Sequence, residues 1–223
     1  MSMRLIGLVL GLAIVSVVSN AQTITVNYNG GSGAPNVIES DGITPLADGN
    51  AVEIGYFTAG YDIQGNAGSL SALATARQNG TWHLFDSTSI THNLLLPAGS
   101  FSGQGNATSG FTGNQIDLWI FQTANGAAPA ADLSNVTAWG LFSSTTNAGP
   151  SRSWIFQAPG IPGVDNISTL DVDIFYHGGA ISPNDQNGHL EVAPAAVPEP
   201  GTTALFGLGL VSAGIAIRRA RRV

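Results

Sequence analysis

The sequence contains no cysteine and no lysine, and only 9% of its residues are charged. Without cysteine, both disulfides and zinc–thiolate sites are excluded, so a folded body must be held by packing, hydrogen bonds or bound ions. Positive charge is scarce away from the ends: Arg4, Arg218, Arg219, Arg221 and Arg222 are terminal, which leaves Arg77 and Arg152 between them. All fourteen acidic residues lie from Glu39 to Glu199. So acidic a stretch repels phosphate backbones and anionic lipid, and nucleic acid is excluded as its partner. Helical periodicity is sparse, and no repeat of constant period is present. What is abundant is glycine, 29 residues, with 11 prolines and many Asn, Ser and Thr in a chain of 223 residues. That length holds one medium-sized body once the terminal segments are removed.

The two ends are of a different kind. Residues 1–4 are short and positive, residues 5–18 are apolar, and Ser19-Asn20-Ala21 puts small residues at the −3 and −1 positions of a signal peptidase site. Residues 1–21 are therefore expected to be a signal peptide cut between Ala21 and Gln22, which makes signal peptidase and the general secretion machinery partners of the precursor. The apolar run is shorter than the roughly 20 residues that span a bilayer, which argues against a permanent anchor.

At the other end, residues 194–201 form a proline-rich linker containing Pro198-Glu199-Pro200. The prolines fix the backbone and lack amide donors, so this segment is expected to stay extended and readable. Residues 202–217 are apolar and would be about 24 Å long as a helix, slightly short of a ~30 Å hydrocarbon core. Arg218, Arg219, Arg221 and Arg222, in the tail 218–223, can bridge the difference by snorkelling. The same arginines should hold the C-terminus in the cytoplasm and leave the preceding residues on the outer side of the inner membrane.

A proline-glutamate-proline motif, an apolar span and an arginine cluster, in that order, resemble the PEP-CTERM sorting signal. The resemblance implies that Pro198, Glu199 and Pro200 are the recognition motif for an exosortase, a multi-pass membrane protein similar to a cysteine transpeptidase. It also implies a setting in which extracellular polysaccharide is made.

The middle, residues 22–193, reads as mainly β, a single β-sandwich or jelly-roll-like body. Short β-rich runs separated by turn residues are expected at 23–28, 52–58, 81–85, 93–96, 115–122, 138–142, 154–157, 169–176 and 190–192. In the run QIDLWIFQ, Ile116, Leu118 and Ile120 share one face while Asp117, Trp119 and Phe121 share the other, which predicts a central strand covered on both sides. In 169–176, Leu170, Val172, Ile174 and Tyr176 alternate with Asp171 and Asp173 as in a half-buried strand. One helix is predicted over 69–78, with Leu70, Leu73, Ala74 and Arg77 on one face and Gly80 just beyond it. The segments GYF, QIDLWIF and WGLFSS also resemble a secreted domain common among PEP-CTERM proteins, which implies that Trp119 and Trp139 are core aromatics.

The middle carries little that points to chemistry. His83, Asp86 and His92 lie close in sequence, but no G-x-S-x-G nucleophile pattern accompanies them. The run 184–188 between His177 and His189 is rich in oxygen-bearing side chains, yet its register does not match a calcium loop and reads better as a turn. Asp171 and Asp173 fit the wet face of a strand better than a weak calcium site. Trp82, Trp154, Tyr56 and Tyr61 could stack on sugar rings if exposed. The expected function is therefore structural: a non-enzymatic exported protein of the cell surface or extracellular matrix, without catalytic residues, metal or cofactor. A secreted carbohydrate-binding module associated with exopolysaccharide is the alternative, and a secreted hydrolase a more distant one.

Overall fold

Alternation in QIDLWIFQ places one row of side chains in each of two cores, and the rest of the fold is arranged around that strand. A computed structural model describes residues 23–30, 37–92, 96–107, 109–149, 151–159, 165–180 and 189–195. The predicted signal peptide, the linker from residue 196 onward, the apolar span 202–217 and the basic tail lie outside the described residues, as does the run 184–188 expected to be a turn.

The strands are β1 (Ile24–Asn29), β2 (Val37–Ile38), β3 (Ala51–Phe57), β4 (Trp82–Ser89), β5 (Ser102–Ala107), β6 (Asp117–Thr123), β7 (Val136–Ser143), β8 (Asp165–Ser168), β9 (Ile174–His177), β10 (Gly179–Ala180), β11 (Leu190–Glu191) and β12 (Ala193–Pro194). Two helices, α1 (Ile63–Asn66) and α2 (Leu70–Gln78), lie between β3 and β4. The described residues are thus mainly β, as the sequence predicts. The largest sheet runs β12-β7-β6-β3-β4, with β9 also pairing with β7. A second has the order β5-β1-β8 and a third β10-β11-β2. The pairs β1–β8 and β11–β2 are parallel, which departs from the antiparallel plan of a jelly roll.

As predicted, β6 is interior, between β3 and β7. Ile116, Leu118 and Ile120 join Val52, Ile54 and Phe142 in a core shared with Ile24, Val26, Tyr28 and Ile167 of the β5-β1-β8 sheet. Two sheets with a common core are consistent with a β-sandwich. Trp119 and Phe121 face the opposite way into a second core with Trp82, Trp139, Leu141 and the α2 residues Leu73, Ala74 and Ala76. The helix is therefore more than a connection between strands, because it covers the outer face of the large sheet. Ser69 caps it by accepting a hydrogen bond from the Ala72 amide.

Two expectations need correction, and a third lies mostly outside the described residues. Residues 169–176 do not form one strand: residues 169–171 make a 3-10 turn capped by Ser168, and only β9 follows. The turn leaves Leu170 55% exposed, while Asp171 pairs with Arg152 and Asp173 with Thr145. Residues 154–157 run alongside 114–116 through the bonds Ile116 N–H to Trp154 O and Phe156 N–H to Asn114 O, without becoming a strand of a sheet. Leu96 lies in a bend, and the rest of the predicted strand 93–96 is outside the described residues.

Strand β5, SGQGNA, has no apolar alternation, and its glycines explain why it still pairs. A Cβ at Gly103 would lie 2.3 Å from the Tyr28 ring, and one at Gly105 would lie 2.4 Å from the Phe85 ring. The strand is glycine-rich because neighbouring rings occupy the space side chains would need. Gly105→Val is expected to destabilise the protein by about 1–3 kcal/mol, the usual range for overpacking. Chemical denaturation measures this, and an unchanged midpoint would show that the ring yields freely.

Candidate functional site

The predicted processing residues Ala21, Gln22, Pro198, Glu199, Pro200, Arg218, Arg219, Arg221 and Arg222 lie outside the described residues. The structure does define where the C-terminal tail departs. Ala193 and Pro194 pair with Trp139 and Ala138 at the edge of the large sheet, and the Ala195 amide donates to the Thr137 carbonyl at 2.8 Å. An edge strand tolerates Pro194, whose missing N–H removes no ladder bond from a central position. Two residues, Ala196 and Val197, separate Ala195 from Pro198, a span of three residue steps that reaches about 10 Å when extended. The motif is therefore tethered close to one defined place on the fold.

Beside that place is an open groove of ≈ 470 Å³, lined by residues 68–71 before and within the start of α2, residues 132–134 before β7, Trp139 and Ala195. Its apolar lining comes from Leu70, Leu133 and Trp139, and its polar atoms from serines and Asp132. Trp139 is held in place by its indole N–H, which donates to the Ala67 carbonyl at 3.0 Å, and by His177, stacked on it at 4.1 Å. Burial pushes the His177 pKa below its ordinary value, so its neutral form is favoured against the indole. Leu133 has φ 57°, the only positive value at a non-glycine residue among those described. The left-handed region is unfavourable for a leucine. No periodicity or motif in the sequence signals this groove, because three distant segments assemble it.

The candidate catalytic residues do not converge. His83 contacts Thr58 Oγ1 at 3.0 Å and stacks on Tyr56. Asp86 accepts from the Tyr28 hydroxyl at 3.0 Å, and His92 pairs with Asp48 at 2.5 Å. His177 is stacked on Trp139, on the outer face of the large sheet. Each histidine of these three thus has its own setting and its own neighbours. The sugar-stacking candidates are also engaged: Trp82 is 5% and Trp154 1% exposed, Tyr56 packs on Phe111 and His83, and Tyr61 stacks on Phe57. Among the described residues, no group of three or more histidine or acidic side chains is placed to hold a metal ion. No described helix is long and apolar enough to cross a membrane.

Buried charge forms a separate pattern. Glu53 on β3 is 3% exposed and receives the Arg77 guanidinium at 2.7 Å. Asp117 at the start of β6 is 1% exposed and its Oδ1 has no hydrogen-bond partner, and desolvation pushes its pKa up to about 7. Asp165 accepts from the Ser153 amide at 2.7 Å, yet burial pushes its pKa up to about 6. The sequence run around Asp117 offered a signal for this, a lone carboxylate on a strand face expected to be covered.

No match to the chain was found among curated proteins or among solved structures. Residues 196–222 match the family described as the PEP-CTERM protein-sorting motif. This match begins at the residue after Ala195, so the chain is an exported protein whose folded β body hands over directly to a PEP-CTERM sorting signal.

Proposed function

We propose that the protein is a non-enzymatic component of the cell surface or extracellular matrix, made as an inner-membrane precursor and released from its anchor by an exosortase. The match at residues 196–222 carries this reading. In it, residues 1–21 direct export and are cut between Ala21 and Gln22, residues 202–217 span the membrane, and Arg218, Arg219, Arg221 and Arg222 stop transfer on the cytoplasmic side. Pro198, Glu199 and Pro200 are then read on the outer side, a short tether away from the β body. The separate settings of His83, His92 and His177 and the apolar cores suit a body that acts by its surface and its durability. Its lysine-free exterior, acidic through residues such as Asp41, Asp62 and Asp132 and rich in Asn, Ser and Thr, suits a hydrated polysaccharide setting. The sugar-binding alternative is weakened because the two tryptophans it calls on are buried.

Replacing Pro198, Glu199 and Pro200 together by alanine in the producing bacterium is the direct test. The expected outcome is a larger, membrane-retained product and loss of the surface or released form, read by immunoblotting of fractions. Unchanged size and location would overturn the reading.

A further inference from the structure

We propose that the groove beside Ala195 is a seat for the chain's own residues 196–200, so that the β body holds the sorting motif at a fixed place on its surface. The inference rests on the sorting role proposed above for Pro198, Glu199 and Pro200, and adds to it a docking site within the same molecule.

The first argument is position. Ala195 is both the point of departure of the tail and part of the groove wall, and the hydrogen bond its N–H donates to the Thr137 carbonyl fixes it there. A segment tethered at the rim of a groove samples it at an effective concentration in roughly the millimolar range, so even weak contacts are populated.

The second argument is chemistry. Ala196, Val197, Pro198 and Pro200 have small apolar side chains, which suit the partly exposed Leu70 of the groove, while Leu133 and Trp139 are themselves buried. A proline-rich segment leaves its carbonyls without internal partners, and the Ser71 hydroxyl on the polar side can donate to them, whereas the Ser134 hydroxyl already donates to Asp132 Oδ1 at 2.7 Å. Asp132 stands on that side too, and its charge repels the Glu199 carboxylate. Glu199 is thus kept outward, where a processing enzyme can reach it, while its apolar neighbours are held.

The third argument is the backbone at Leu133. An unfavourable left-handed leucine persists only where its surroundings hold it, and such residues concentrate at sites that bind or switch. Here that conformation shapes the groove next to the tail's exit.

The absence of cysteine makes the test direct. The pair Ser71→Cys and Val197→Cys is introduced into the purified full-length precursor in detergent, and disulfide formation under mild oxidation is followed. The control pair is Thr137→Cys and Val197→Cys, since Thr137 adjoins Ala195 but does not line the groove. The groove pair is expected to close roughly tenfold faster than the control, as a docked segment exceeds the effective concentration of a free one. Equal rates, or a faster control, would overturn the proposal. A second measurement covers local effects of the cysteines: amide exchange at Val197 and Glu199 should be slow in the unaltered chain and rise to the free-peptide rate in Ser134→Trp, which fills the groove. Free-peptide rates already in the unaltered chain would equally defeat it. Neither experiment contains a processing enzyme, so failure here leaves exosortase processing standing, whereas normal trapping with unaffected processing of the alanine variant would defeat only the sorting role.

Discussion

Arg77→Met is expected to destabilise the protein by about 3–5 kcal/mol, the range for removing one partner of a buried ion pair. Arg77 lies in the last turn of α2, and its guanidinium passes over the Phe121 ring at 5.6 Å before meeting Glu53 at 2.7 Å. Glu53 sits on β3, opposite Trp119 of β6, within the layer between the sheet and the helix. Desolvation raises the Glu53 pKa, and the charge and hydrogen bond of Arg77 pull it back. Removing Arg77 leaves the carboxyl with desolvation largely unopposed. The double variant Glu53→Met, Arg77→Met removes both charges and should recover most of the loss, since apolar replacement of a buried pair is often neutral or stabilising. Urea titration of the wild type, the two single variants and the double variant measures the coupling. A double variant as unstable as Arg77→Met would show that the loss comes from packing. The loss should also shrink in acid, where Glu53 in the variant takes up a proton and ceases to be a buried charge.

The same pair shows how far the sequence could be read. Arg77 was legible as part of the helix face containing Leu70, Leu73 and Ala74, and helix and face are both present. That its charge meets a glutamate 24 residues earlier was not, because the contact depends on how the helix lies over the sheet. Strand β6 was legible down to the two faces, since strict alternation of large apolar residues survives any tertiary arrangement. Strand β5 was invisible because the rings of Tyr28 and Phe85 supply the bulk that its own glycines lack. Residues 169–176 misled for the opposite reason: they alternate well, but the Ser168 cap and the partners of Asp171 and Asp173 bend the chain into a turn first. The sorting tail was legible because it is a linear signal whose parts work in order along the chain. The groove beside it was not, since the segments around Leu70, Leu133 and Ala195 are far apart in sequence and meet only in the fold.

The second large effect is a stability that falls as pH rises. Asp117 titrates near the ordinary carboxylate value of 3.8 when unfolded and at about 7 when folded. Between these values the native state holds a proton that the unfolded state has released, so unfolding free energy decreases with pH and the loss is complete above about 7. At 1.36 kcal/mol per pKa unit the effect of this one group reaches about 4 kcal/mol. The cause is local: Asp117 is on the face of β6 that is packed over by the second core, and Oδ1 has no partner there. The Ser143 hydroxyl and the Phe57 amide, which favour the charged form, offset only part of the desolvation. Asp165, raised to about 6, acts in the same direction and is spent at a lower pH. His177 opposes them, because its lowered pKa means that the native state resists protonation and loses stability as pH falls below its ordinary value of 6.5. Three raised carboxyls, Glu53 among them, stand against one lowered histidine, while the exposed Asp41, Asp132 and Asp173 are shifted downward from 3.8 and titrate below this range, so the melting temperature should be higher at pH 5 than at pH 8. Asp117→Asn keeps the size of the side chain and removes its titration, so it should raise stability at pH 8, change little at pH 5 and flatten the slope between them. A slope of the same steepness in Asp117→Asn, or a wild type that melts higher at pH 8, would contradict the assignment. Because the Asp117 effect arises within the β body, truncation after Ala195 should leave it in place, whereas docking of residues 196–200 in the groove would appear as a separate, pH-independent difference between the long and short chains.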